Sequence, residues 1–251
     1  MSDSTVVAHA APEHGHEEHP AYLRHHFENT AQQADAAGFA MWLFLLTEVM
    51  FFGGLFTAYL IYRNWYYPAF VEASHQLNVV WGTLNTAVLI TSSFTMAMGV
   101  WCAEMRKQSG LVLCLILTFI LGLGFLGIKT VEYKEKIEKH HVPGFHYSLK
   151  SFVDPQSDPE IYKEYHDKPL ALDMARHTEV YFSLYFVMTG MHALHMIIGI
   201  ALLSGMLWKA LRGGFMDGNI AYVENFGLYW HFVDIVWIFL FPLLYLISRH
   251  Q

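Results

Sequence analysis

The sequence predicts an all-α integral membrane protein: a bundle of five transmembrane helices with one long extramembrane loop. Three observations predict it. Five apolar stretches are each long enough to cross a hydrocarbon layer ~30 Å thick at ~1.5 Å of rise per residue. Only 15% of the 251 residues are charged, against about 25% in a soluble domain, and hydrocarbon tolerates few ions. Aromatic residues reach 16%, with 7 Trp and 14 Tyr, the types that gather at membrane interfaces. Strands of a β-barrel would be shorter and alternate polar with apolar, so helices are the spanning form. The net charge of −7 argues against a nucleic-acid partner, which would need basic patches.

Residues 1–36 form a polar tail rich in histidine: His9, His14, His16, His19, His25 and His26. No basic start followed by an apolar core marks a cleavable signal, so the first span is expected to direct insertion itself. These histidines could bind metal; without cysteine, and amid Gly, Pro and Ala, they read as a solvated tail. A single transmembrane domain then occupies residues 37–248. Its first span covers about residues 37–62, with Gly53 and Thr57, then Gly54 and Ala58, at the four-residue spacing of close helix packing. The second covers about 78–102. The third, about 111–133, opens a face at Gly122, Gly124 and Gly127. The 134–178 loop carries Pro143, Pro155, Pro159 and Pro169; it is too long for a turn and too polar for lipid, and reads as an ordered cap or docking surface. His140, His141 and His146 within it are treated as the tail histidines are. The fourth span covers about 180–208 and the fifth about 226–247. Cys102 and Cys114 lie in or beside apolar stretches and read as small apolar fillers.

Arg106 and Lys107 in the 103–109 loop, with Lys209 and Arg212 in the 209–225 loop, outnumber Arg63, the lone Lys or Arg of the 63–77 loop. The positive-inside rule then puts the N-terminus in the cytoplasm, and the C-terminus and the 134–178 loop outside.

Several polar residues inside the spans require partners. Glu48 lies mid-span in WLFLLTEVMFF, where an ionised carboxylate costs at least ~2.5 kcal/mol. It reads either as a proton-linked or lipid-contacting acid or as an acid hydrogen-bonded to a neighbouring helix. His192 and His195 share one helical side in TGMHALHMIIG, and His231 and Asp234 repeat that spacing in YWHFVDIVW. They could compose a metal site or supply haem ligands from two helices; the alternative is a polar seam that joins helices by hydrogen bonds. Lys129 and Glu132 are spaced for an ion pair near the interface, with the lysine stem free to snorkel. Glu179, at the start of the fourth span, could pair with another helix end.

Taken in order, WLFLLTEVMFF, LNTAVLITSS, KTVEY, MHALHMIIG and YWHFVDIVWIFLF resemble subunit III of the haem-copper oxidases, both cytochrome c oxidases and quinol oxidases. The likeness touches all five spans, over roughly residues 37–133 and 179–247. The resemblance implies a noncatalytic subunit of a proton-pumping terminal oxidase. Such a subunit carries no haem or copper itself, those centres lying in subunits I and II. It flanks subunit I, holds phospholipids and supports proton uptake, in company with subunit II and in some cases an associated cytochrome c or a larger supercomplex. Glu48 matches the family's intramembrane glutamate. His192, His195, His231, Asp234 and Glu132 match polar positions of its later helices, which favours the structural seam over metal. Five helices correspond to a bacterial-type form, placed in the cell membrane; the mitochondrial form has seven, and its connection is shorter than the 134–178 loop. That loop is expected to dock on an external domain of subunit II or on an associated cytochrome.

Within this family cytochrome c is the favoured donor and quinol the alternative, with a nitric-oxide-reductase accessory protein as a third possibility. Outside it stand a free membrane cytochrome that ligates haem through His192 or His195 with His231, and a proton-coupled transporter using Glu48. The transporter lacks the Pro-broken mid-membrane helices typical of such sites.

Overall fold

The computed structural model describes residues 27, 29–144, 147, 176–215 and 220–247. The tail histidines, His146, Pro155, Pro159 and Pro169 lie outside them. Among the described residues there are six helices and no strand: α1 (Thr30–Trp65), α2 (Tyr67–His75), α3 (Val79–Glu104), α4 (Gln108–Glu138), α5 (Thr178–Leu211) and α6 (Ala221–Tyr245). All but the nine-residue α2 are long and apolar enough to cross a membrane. The helices overrun the apolar spans because hydropathy marks contact with lipid, whereas helix ends follow capping chemistry. Asn29 caps α1 by accepting from the Gln32 amide at 2.8 Å, eight residues before the apolar run begins. Asn78 caps α3 through the Val80 amide at 3.0 Å.

The connections are tight where they are described. After α3, Arg106 takes a left-handed conformation (φ 54°), and the Lys107 amide donates to the Cys102 carbonyl at 2.8 Å, which reverses the chain within three residues. Past α5, Gly213 supplies the positive φ of 77°. The 63–77 connection contains α2, entered through Pro68 in its first turn. Six of its nine residues are buried, from Ala69 to Ser74.

α5 and α6 form the middle of the bundle. α4 packs on α5, α3 packs on α4 and α6, and α1 leans on α5 and α6 from the other side. Trp230 of α6 fixes the inner packing. Its indole stands where Gly122 of α4 and Gly199 of α5 carry no side chain; a Cβ at either would lie 3.0 Å or 2.9 Å from the ring. Its Nε1 donates to Ser92 Oγ of α3 at 3.0 Å. Of the glycines singled out in the sequence, only Gly122 meets another helix in this way; Gly53, Gly54, Gly124 and Gly127 face open space.

The end of α6 is closed by tyrosines. Pro242 lies in its last turns and cannot donate an amide hydrogen bond. Terminal carbonyls nearby find side-chain donors instead: Tyr59 donates to the Leu243 carbonyl at 2.5 Å and Tyr181 to the Leu244 carbonyl at 2.7 Å. Lys136, buried at the end of α4, donates to the Gln76 carbonyl just beyond α2.

Candidate functional site

The polar residues picked out by the sequence gather in separate places. On the flank of the bundle, Glu48 of α1 meets His195 of α5, with Oε2 3.1 Å from Nε2. Their side chains are 19% and 10% exposed, so the pair is partly open on the outer side. His195 Nδ1 lies 2.8 Å from the Met191 carbonyl. A carbonyl only accepts, so Nδ1 carries a hydrogen there. Nε2 therefore either accepts the proton of a neutral Glu48 or, in the imidazolium, donates to its carboxylate. One proton is shared between the two side chains in either arrangement. Phe52 packs on the imidazole with centroids 5.4 Å apart, and Tyr229 of α6 donates to the His195 carbonyl at 2.8 Å. The sequence shows that Glu48 needs a partner; its local spacing could not say that the partner lies 147 residues away.

Deep in the bundle, Lys129 and Glu132 of α4 form an ion pair at 2.9 Å with side chains only 4% and 2% exposed. Lys129 does not snorkel, because acceptors reach it inside. Glu132 Oε1 accepts from Tyr185 of α5 at 2.9 Å and from Tyr245 of α6 at 2.5 Å. Lys129 donates to the Tyr245 hydroxyl at 2.8 Å and sits 4.6 Å from the Trp237 ring centre. The sequence reading missed these three aromatic partners, since they come from α5 and α6, far along the chain from Lys129 and Glu132.

His192 turns away from His195. It is buried between Phe125 and Trp237, with centroids 5.3 Å and 5.2 Å away, and neither ring nitrogen has a hydrogen-bond partner among the described residues. His231 of α6 lies against Ser93 of α3, Nδ1 to Oγ 2.7 Å, and Asp234 lies one turn along. Glu179 accepts from the Gly144 amide at 2.9 Å, tying the start of the α4–α5 connection to the first turn of α5. Among the described residues no three His, Cys, Asp or Glu side chains converge as a metal site would need. His141, just past α4, is buried in a stack on Phe182 with centroids 4.9 Å apart. Its imidazole pKa is pushed down to about 4 by burial, with the Lys136 and Lys139 ammonium groups adding to the shift.

Comparison with known proteins gives a consistent result. The family model described as Cytochrome c oxidase subunit III matches residues 161–249. The chain is 32% identical to cytochrome c oxidase subunit 3 of Synechocystis, over 93% of this chain and 79% of that one. It is 31% identical to the protein of the same name from Thermostichus vulcanus, over 82% and 85%. With quinol oxidase subunit 3 of Bacillus subtilis it shares 28% identity, over 94% and 96%.

Proposed function

The chain belongs to the cytochrome c oxidase subunit III family, and from that premise we propose that it is a noncatalytic subunit of a haem-copper terminal oxidase. In this reading the haem and copper reside in partner subunits, and this chain stabilises subunit I, holds phospholipid and supports proton uptake. It sits in the bacterial cell membrane with its N-terminus cytoplasmic and its C-terminus and 134–178 loop external. The likeness along almost the whole chain to oxidase subunits from several bacteria carries the proposal.

The Glu48–His195 pair supports the proton-linked part. It shares one proton, lies on α1, the least buried of the five spans, and among the described residues has no metal-like set of ligands around it. A cavity of about 380 Å³ between the N-terminal turns of α1 and α6 supports the lipid-holding part. Ala34, Ala37 and Ala40 give it an apolar wall, and Thr30, Gln33 and Asn225 bring polar groups to its lining.

Cytochrome c is the favoured donor. Quinol stands as the second reading because the Bacillus subtilis quinol oxidase subunit aligns over nearly its full length. The test is purification of the tagged chain from its native membrane in mild detergent. Co-purification of haem-bearing oxidase subunits is expected, with reduced cytochrome c rather than quinol supporting oxygen uptake. A chain that purifies alone, or that shows a stoichiometric haem Soret band by itself, overturns the reading.

A further inference from the structure

Two connections that lie far apart in the sequence meet at one end of the bundle. Gln108, in the first turn of α4, donates to the Ala210 carbonyl in the last turn of α5. Arg106 and Lys107 immediately precede Gln108, and Lys209 and Arg212 flank Ala210, so one contact gathers four cations. Arg106, Lys107 and Arg212 are exposed, and Lys209 is half-buried.

What these cations touch separates them from the lysines beyond the other end of α4. There, Lys139 pairs with Glu135 at 2.8 Å and Lys134 with Glu138 at 3.9 Å. Here the cations lie on aromatic rings. Lys107 Nζ is 4.7 Å from the Trp101 ring centre, and the Arg212 guanidinium carbon is 3.9 Å from that of Trp208. Lys209 Nζ is 4.7 Å from the Phe215 ring and 4.9 Å from the Tyr222 ring. Among the described residues none of the four is in an ion pair, although Glu104 and Glu224 stand at the same end. A ring face attracts a cation without accepting its N–H hydrogens as an oxygen would. The guanidinium of Arg212 and the ammonium of Lys107 therefore keep donors for an anion from outside.

The order of residues along the neighbouring helices says which anion. On α3, exposed Phe94 and Met98 lead to Trp101 and then to the cations of the turn; on α5, exposed Leu194 and Ile198 lead to Trp208 and then to Arg212. At ~3.6 residues per turn each series stays on one side of its helix. Apolar residue, indole and cation match, in that order, the acyl chains, the interface and the headgroups of a bilayer. An acidic segment of a soluble protein would match the cations but not the apolar strips that lead up to them.

We propose that the α3–α4 turn and the C-terminal end of α5 form a binding surface for anionic phospholipid, whose headgroup phosphates accept hydrogen bonds from Arg106, Lys107 and Arg212 beside Trp101 and Trp208. A headgroup with net negative charge is preferred to a zwitterionic one, because no carboxylate here would pair with a lipid ammonium. The surface is separate from the cavity between α1 and α6, and it requires neither that cavity nor the oxidase reading.

The test takes the tagged full-length chain, purified from its native membrane with whatever subunits accompany it, into phosphatidylcholine vesicles. One sample contains a phosphatidylglycerol with a photoactivatable group near its glycerol, and a parallel sample contains a phosphatidylcholine carrying the same group. After irradiation, labelled peptides are mapped by mass spectrometry. Peptides covering 101–107 and 208–212 should be labelled roughly fivefold more by phosphatidylglycerol than by phosphatidylcholine. The preference should shrink in about 1 M salt, where the Debye length is ~3 Å. Arg106→Gln, Lys107→Gln and Arg212→Gln together should bring the two lipids level at those peptides. Equal labelling in the unaltered chain, a preference found only at other sites, or a protein segment that shields those peptides from both lipids overturns the proposal. The unaltered chain decides the question even if the triple variant fails to insert. Failure of the oxidase reading shows separately, as the absence of haem-bearing subunits from the purified sample, and leaves this comparison intact.

Discussion

Two glutamates inside the bundle lead opposite lives. Glu132 is enclosed: Lys129, Tyr185 and Tyr245 all bond to it, drawn from three helices, and almost none of it is exposed. Glu48 has one side-chain partner, His195, and lies on a helix whose apolar window is only 11% buried, against 50% for α6. A carboxylate bonded by donors from three helices is held in one geometry. A carboxyl with one side-chain partner on an open flank can rearrange without disturbing the packing. The contrast separates a group that holds the bundle together from one placed to interact with what surrounds it.

The strongest way to break this comparison is Lys129→Met. It leaves Glu132 buried without its cation, which should cost about 3–5 kcal/mol, read as loss of the monodisperse peak in a thermal size-exclusion assay. The double variant Lys129→Met with Glu132→Gln should recover part of that loss, since removing both charges is milder than stranding one. Next in size is Tyr245→Phe, which removes the hydroxyl bonded to both Glu132 and Lys129; about 1.5–3 kcal/mol is expected by the same assay.

A smaller effect lies just past the end of α4. The folded chain holds His141 at about 4, below the ordinary 6.5 of imidazole, so between those values the unfolded chain binds more protons. Stability should therefore fall as pH drops from 6.5 towards 4 and stay level above that window. The melting temperature followed from pH 7 to 5 should show the drop, and His141→Phe, which can keep the stack on Phe182, should flatten it. The smallest expected change is Glu48→Gln, which can still hydrogen-bond to His195. It should shift stability by no more than about 1 kcal/mol and leave oxygen uptake by the assembled enzyme largely intact, with any effect confined to its pH dependence or its rate of inactivation. Complete loss of turnover in a fully assembled Glu48→Gln enzyme would erase the distinction between the two glutamates.

The sequence made the five spans legible because hydropathy is a local property, and it marked Glu48, His192, His195, His231 and Asp234 as residues in need of explanation. It could not show which helix answers each of them. His192 and His195 are three apart, yet one turns to Phe125 and Trp237 and the other to Glu48. α2 was hidden for a related reason: YPAFVEASH has the length and the proline of a connection, and only burial against α5 makes it a helix with a covered face. Lys129 looked like a residue reaching for water, since its aromatic cage comes from α5 and α6, more than 50 residues away.

The placement of Trp230 bears on how the chain is made. Its ring touches α4 and α5 and bonds to α3, but it belongs to α6, which follows those three helices in the chain and leaves the ribosome after them. Until that helix arrives, the gap beside Gly122 and Gly199 has nothing to fill it, and the earlier helices meet across a hole. A truncated or stalled product would thus be loose at its centre, and a membrane protease could distinguish it from the finished chain before any oxidase is assembled around it.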